Sequence, residues 1–180
     1  MSPERGTIMD MEIRYRRGTL AFIVKDTKVL LGFKHSKAEV GAETLNGPGG
    51  KIDPGQTSIE CVKKEVLDET GITIQVTKDD QVAAITFNNG KESVWDVDVY
   101  LVREFQGEPH DTREMRAVAG EWWYEIDRVP YQTMMLASDG AWIPQVLAGK
   151  KFNAIVDQSA DGKQLDHIAF APFQPFTDAT

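Results

Sequence analysis

A chain of 180 residues accommodates one domain with a tail or a long hairpin, and 41% hydrophobic residues can fill a continuous core, which excludes a disordered ground state. The 28 acidic against 20 basic residues leave a net charge of −8, which argues against wrapping nucleic acid through neutralised phosphates, so a polyanionic substrate would have to be met through a metal. One cysteine, Cys61, excludes an intrachain disulfide; with no apolar run of membrane-spanning length and no signal-peptide core, no membrane partner is expected and the expected address is cytoplasmic.

Residues 1–12 show no sustained periodicity and are expected to form a flexible tail, with a single domain over residues 13–180. Residues 13–24 and 29–34 read as two strands joined by the turn Lys25-Asp26-Thr27-Lys28, and Arg14, Arg16 and Arg17 read as a solvated strand end. A loop over residues 36–45 leads into Asn46-Gly47-Pro48-Gly49-Gly50-Lys51, where so much glycine implies close approach of another group. A helix is expected over residues 57–70: Thr57 and Glu60 have capping-box spacing, Ile59, Val62 and Val66 make an apolar stripe, and Gly71 is a C-terminal stop. Strands follow at 72–76, 81–87, 94–105 and 121–126, with a hairpin turn at Asn88-Asn89-Gly90-Lys91. A second helix is expected over 139–147, with Pro144 better suited to its first turn than to its interior, then strands at 152–156 and 165–170.

At about 100° per residue, Glu65, Asp68 and Glu69 fall within an arc of roughly 100° beside the apolar stripe of their helix. Like charges at that spacing repel, and a cation removes the repulsion; an all-oxygen set without Cys or His selects Mg²⁺, for which Mn²⁺ can substitute. A solvated acidic face is the plain alternative for such a helix taken alone. Directly upstream, Gly47-Pro48-Gly49-Gly50-Lys51 offers backbone N–H groups and an ammonium suited to a phosphate chain. A glycine loop, a spacer and an acidic helix in that order build a metal-phosphate site in one continuous segment.

These residues resemble a known family. Gly50-Lys51-Ile52-Asp53-Pro54-Gly55-Gln56 followed by Lys64-Glu65-Val66-Leu67-Asp68-Glu69-Thr70-Gly71-Ile72 is similar to the Nudix box, G-x5-E-x7-R-E-U-x-E-E-x-G-U with U aliphatic, and keeps its spacing over all 23 positions. Gln56, Lys64 and Asp68 depart from the pattern, standing for Glu, Arg and Glu. The first two positions form a structural ion pair in the family, so a compensating contact between Gln56 and Lys64 is expected. The resemblance implies a Nudix α/β/α sandwich with a mixed sheet, metal positions at Gly50, Glu65, Asp68 and Glu69, and catalytic carboxylates at Glu65, Glu69 and Glu114, the last within Thr112-Arg113-Glu114-Met115-Arg116.

Over roughly residues 13–173 the likeness is to the MutT-homologue branch, which hydrolyses oxidised purine nucleoside triphosphates such as 8-oxo-dGTP to monophosphate and pyrophosphate. It implies a small-molecule nucleotide substrate, no stable nucleic acid partner, and a pocket of Thr19, Lys34, Asn46, Lys51, Trp95, Met135, Asp139 and Trp142. Ser138 stands where the branch has the first of two aspartates, and Trp95 and Met135 exchange its thioether and aromatic walls. Two alternatives stay open: a Nudix hydrolase for an RNA 5′-triphosphate end or a dinucleoside polyphosphate, and a catalytically silent nucleotide sensor. One of Trp122 and Trp123 is expected in the core, Cys61 is expected to be inert, and His35, His110 and His167 lack ligand spacing.

Overall fold

The computed structural model describes residues 12–35, 37 and 42–177. The expected tail, apart from Glu12, and much of the loop expected over 36–45 lie outside the described residues. The strands are β1 (Arg14–Lys25), β2 (Lys28–Leu30), β3 (Gly32–Lys34), β4 (Leu45–Asn46), β5 (Thr73–Gln75), β6 (Gln81–Asn89), β7 (Ser93–Val102), β8 (Glu104–Gln106), β9 (Met115–Arg116), β10 (Trp123–Glu125), β11 (Phe152–Gln158) and β12 (Leu165–Pro172). The helices are α1 (Ser58–Thr70), α2 (Tyr131–Met134) and α3 (Asp139–Leu147).

Seven strands form one mixed sheet in the order β10-β2-β1-β7-β6-β11-β12, parallel at β1/β7 and β6/β11 and antiparallel elsewhere. Side chains alternate across it, so β1 sends Leu20 and Phe22 to one face and Ala21 and Ile23 to the other. The first face packs on Trp142, Ile143 and Val146 of α3, where Phe22 and Phe87 meet the Trp142 ring edge to face at centroid distances of 5.8 and 5.9 Å. The second packs on Val62 and Val66 of α1, together with Ile72, Met115 and Trp122. The expected α/β/α sandwich is thus formed. No helix among the described residues is long and apolar enough to cross a membrane.

α1 forms where its local signals place it: Thr57 accepts from the Glu60 amide, Glu60 reaches back to the Thr57 amide, and Gly71 closes the helix at φ 78°. The hairpin turn also forms, with Gly90 at φ 58°. The strand expected over 29–34 is instead two. The Leu31 amide leaves the sheet to donate to the Trp122 carbonyl (2.9 Å), and beyond it β3 pairs with β4 and β9 in a separate sheet. Gly32 permits this, since a Cβ there would lie 2.3 Å from the Met115 side chain. The strand expected over 94–105 likewise ends at Val102, and β8 pairs with β5 instead. Pro144 sits inside α3, the sixth of its residues, rather than in the first turn, so the Gly140 carbonyl has no helical donor. Trp122, just before β10, is core, and half-buried Trp123 packs on Phe105 at 5.6 Å beside the same core cluster rather than on the opposite face.

Candidate active site

Because β2 pairs only with the last two residues of β1, one edge of β1 is left for another segment, and the glycine loop takes it. Thr19 N–H donates to the Gly50 carbonyl (2.9 Å), Ala21 N–H to that of Pro48 (2.8 Å), and Ile52 N–H to that of Arg17 (2.9 Å). A Cβ on Gly49 would lie 2.0 Å from the Thr19 carbonyl oxygen, so only glycine fits against the strand there.

The loop delivers the Gly49 amide to Glu69, which accepts it at Oε2 (2.8 Å) while Oε1 faces Lys34 Nζ at 3.6 Å. Lys34 also donates to the Gly49 carbonyl (3.0 Å), and both charged groups are buried. Burial pushes the Glu69 carboxyl up to about 7, helped by Glu65 and Glu114 and opposed by Lys34 and the Gly49 amide. Half-buried Glu65, one turn earlier on α1, is also raised, by burial first and by Glu114 among its neighbours. Glu114 arrives from the segment before β9. Thr112 fixes that segment, donating to the Glu69 backbone carbonyl (3.0 Å) and accepting from the Glu114 amide (3.2 Å). One oxygen of each of Glu65, Glu69 and Glu114 lies within 4.8 Å of the others, an all-oxygen set that suits a hard divalent cation. Gly50 adjoins it, since a Cβ there would lie 2.5 Å from Glu65 Oε2; its carbonyl accepts the Thr19 amide and, weakly, the Cys61 thiol at 3.8 Å.

The acidic group opens into a cavity of about 220 Å³ lined also by Lys34, Asn46, Lys51 and Trp95. Leu20, Asn46 and Trp95 are shared with a second cavity of about 260 Å³, walled by Phe87, Val97, Leu136 and Trp142 and carrying Asn89, Asp139 and Gln158. The Asn46 Oδ1 accepts the Gly47 amide (2.8 Å), which fixes its NH₂ as donor. Asp139 accepts the Leu136 amide (3.0 Å), and burial raises its carboxyl to about 7 against that bond and the nearby Trp142 indole N–H, which meets no acceptor in well-formed geometry.

Lys34, Asn46, Lys51, Trp95, Asp139, Trp142, Glu65, Glu69 and Glu114 therefore gather at two adjoining cavities. Three expected residues stand apart. Asp68 is on the exposed flank of α1, paired with Lys64 at 2.8 Å, because only the Glu65 and Glu69 side of the arc turns under the loop. Thr19 points to the α1 face and its hydroxyl meets Cys61 Sγ (3.5 Å), since strand alternation gives the cavity to Leu20. Met135 lines a broader outer depression, and Leu136 takes the cavity wall. The expected contact between Gln56 and Lys64 is not made: Gln56 accepts the Asp53 amide, while Lys64 serves Asp68 and Glu65.

Arg17, expected as a solvated end, is ion-paired with buried Asp98 at 2.9 Å. Cys61 is buried, and burial raises its thiol to about 11, so it is inert as a nucleophile. Among the described residues no histidine joins the carboxylates. Gln158 and Asn89 were not anticipated as cavity residues. The signal for Gln158 was the alternation of Phe152, Ala154 and Val156, which continues one step further to place it on the same face.

The NUDIX domain family matches residues 14–146. This chain belongs to that family. Its Nudix membership is accompanied by likeness to the oxidized purine nucleoside triphosphate hydrolases of Danio rerio and Mus musculus, at 34% and 32% identity over 135 residues, 74% of this chain and 81% of each relative. The fold superposes on a mutator MutT protein from Bacillus halodurans with a TM-score of 0.65 at 20% identity, covering 86% of this chain and 97% of that one. A MutT NUDIX hydrolase from Burkholderia pseudomallei gives 0.56 at 28% identity, covering 65% and 88%.

Proposed function

We propose that this Nudix hydrolase cleaves oxidised purine nucleoside triphosphates, with 8-oxo-dGTP as the reference substrate, to monophosphate and pyrophosphate in a Mg²⁺-dependent reaction that cleanses the cytoplasmic nucleotide pool. The observation that carries the reading is the shared wall: Leu20, Asn46 and Trp95 border both the carboxylate cavity and an aromatic-lined cavity sized for one base. The names of the two animal relatives supply the substrate class.

Glu65, Glu69 and Glu114 would hold the metal, with the Gly50 carbonyl as a further oxygen and Asp68 left outside. Bound there, Mg²⁺ neutralises charge developing on phosphate oxygens and acidifies water. The chain's own groups do the rest. Lys34 and Lys51 place ammonium groups beside the phosphate chain, and Lys34 also favours the ionised form of buried Glu69 against the effect of burial. The Gly49 amide and Thr112 hold Glu69 and Glu114 in place before substrate arrives, so little reorganisation is left to the reaction. Trp95 closes the base cavity over the nucleotide, and Asn46 and Asp139 read its edge.

The test is a panel of normal and oxidised nucleoside triphosphates with and without Mg²⁺, following pyrophosphate and monophosphate. Pyrophosphate release from 8-oxo-dGTP at a kcat/KM well above that for dGTP supports the reading. Release of orthophosphate, or equal rates for pyrimidine and purine nucleotides, overturns it.

A further inference from the structure

Two of the polar side chains in the base cavity, Asn46 and Asp139, are held by backbone N–H groups, and two others, Asn89 and Gln158, are not. Asn46 is fixed by the Gly47 N–H, which can only donate, and Asp139 takes the Leu136 N–H for the same reason. Buried Gln158 belongs instead to a chain of side chains. The Ser138 hydroxyl donates to Gln158 Oε1 (3.0 Å), Gln158 Nε2 donates to Asn89 Oδ1 (2.8 Å), and Asn89 Nδ2 donates to the Ser93 hydroxyl (3.3 Å). Both ends of this chain are hydroxyls, which donate or accept equally well. Both interior members are amides, whose oxygen and nitrogen ends have nearly the same shape. Turning both amides over reverses every donor and acceptor while each heavy atom keeps its neighbour. Ser93 then donates to Asn89, Asn89 to Gln158, and Gln158 to Ser138. Among the described residues no backbone amide or charged group bonds to the side chains in this chain, so none of them selects one direction.

We propose that Gln158 is a specificity-determining residue which, through the reversible chain Ser138-Gln158-Asn89-Ser93, offers a purine edge either a donor or an acceptor, so that the enzyme accepts 6-oxo and 6-amino purine nucleoside triphosphates alike. The inference rests on the reading of this site as a purine nucleotide pocket. Gln158 and Asn89 line the cavity together with the fixed Asn46, and a buried polar group facing the wrong partner discriminates strongly. A pair that can reverse at the cost of one concerted turn removes that discrimination for one position of the edge while Asn46 and Asp139 still demand a purine.

The experiment compares kcat/KM for 8-oxo-dGTP and 8-oxo-dATP in the wild type, Asn89→Asp and Gln158→Glu, with Mg²⁺ saturating. In the wild type the two values should lie within about tenfold of each other. Asn89→Asp presents only acceptors to Gln158 and locks its Nε2 toward that side, and Gln158→Glu removes the donor altogether. Each should move the ratio of the two substrates by tenfold or more; the ratio rather than the absolute rate is the readout. A wild-type preference above a hundredfold overturns the proposal without any variant, so it stays testable if both fail to fold. Folded variants whose ratios stay within twofold of wild type overturn it as well, assigning the chain to structure alone. Failure of the wild type to hydrolyse either purine overturns the pocket reading too, and so is distinct from an unmoved ratio.

Discussion

The carboxylate group takes Glu65 and Glu69 from one helix and hangs them under a loop contiguous with it, whereas the base cavity draws Asn46, Phe87, Trp95, Asp139 and Gln158 from five separate elements. In the first region local signals in some twenty consecutive residues carry the geometry, and only Glu114 and Lys34 come from elsewhere. In the second, no two of the five residues are neighbours in sequence, so on the proposed function a change at Phe87, Asp139 or Gln158, which do not border the carboxylates, should alter recognition and leave the chemistry intact. The two regions meet at Leu20, Asn46 and Trp95.

That division can be broken most forcefully at the carboxylates. Glu69→Gln should lower kcat roughly a thousandfold in saturating Mg²⁺, since losing a ligand charge removes several kcal/mol of transition-state stabilisation at about 1.36 kcal/mol per tenfold. The loss should be the same for every base; steady-state kinetics on two purines that gave unequal losses would show the regions to be coupled. Trp95→Leu should act the other way, raising KM roughly five- to 150-fold with little change in kcat, the range expected for one lost stacking surface. A fall in kcat matching the rise in KM would place Trp95 in the chemistry.

The next effect is on stability. Asp139 has its carboxyl raised from 3.8 unfolded to about 7 folded, so the native state holds the proton more tightly. The associated stability is fully present below about pH 4 and is lost as pH rises through about 7, with a slope of up to about 1.4 kcal/mol per pH unit between them. Denaturant titrations across that window should show the slope, to which Glu69, also raised to about 7, adds its own part, and Asp139→Asn should remove the share that belongs to Asp139. The smallest effect sharpens the boundary of the cluster: Asp68→Asn should leave kcat within a few-fold and stability within about 0.5 kcal/mol, because its partner Lys64 and Asp68 itself are 54% and 45% exposed. A hundredfold loss of rate would bring Asp68 back into the metal set.

The sequence shows α1 almost to the residue because the capping box, the apolar stripe and Gly71 all act within one segment. It does not show which flank of the acidic arc is covered. Glu69 and Asp68 are adjacent, and only the loop that packs on β1 makes one buried and the other solvated. Thr19 and Leu20 pose the same question on a strand, where period two separates them but cannot say which face holds the cavity. Met135 and Leu136 lie in the irregular link between α2 and α3, where no period fixes direction. Gln158 lies at the end of its strand, beyond the last apolar residue by which a strand is recognised, and the break at Leu31 depends on Trp122, ninety-one residues away.

The loop that presents Gly49 and Gly50 is hydrogen-bonded along β1 as an added rung of backbone, not draped over it. The amides of Thr19, Ala21 and Ile52 that make these rungs can open to solvent only when the loop parts from the central strand, so their hydrogen-exchange rates should follow global unfolding rather than loop fluctuation. For the enzyme this ties working temperature to melting temperature. A loop with its own looser equilibrium would lose activity gradually on warming, whereas this one should keep its carboxylates and backbone donors aligned until the sheet itself gives way.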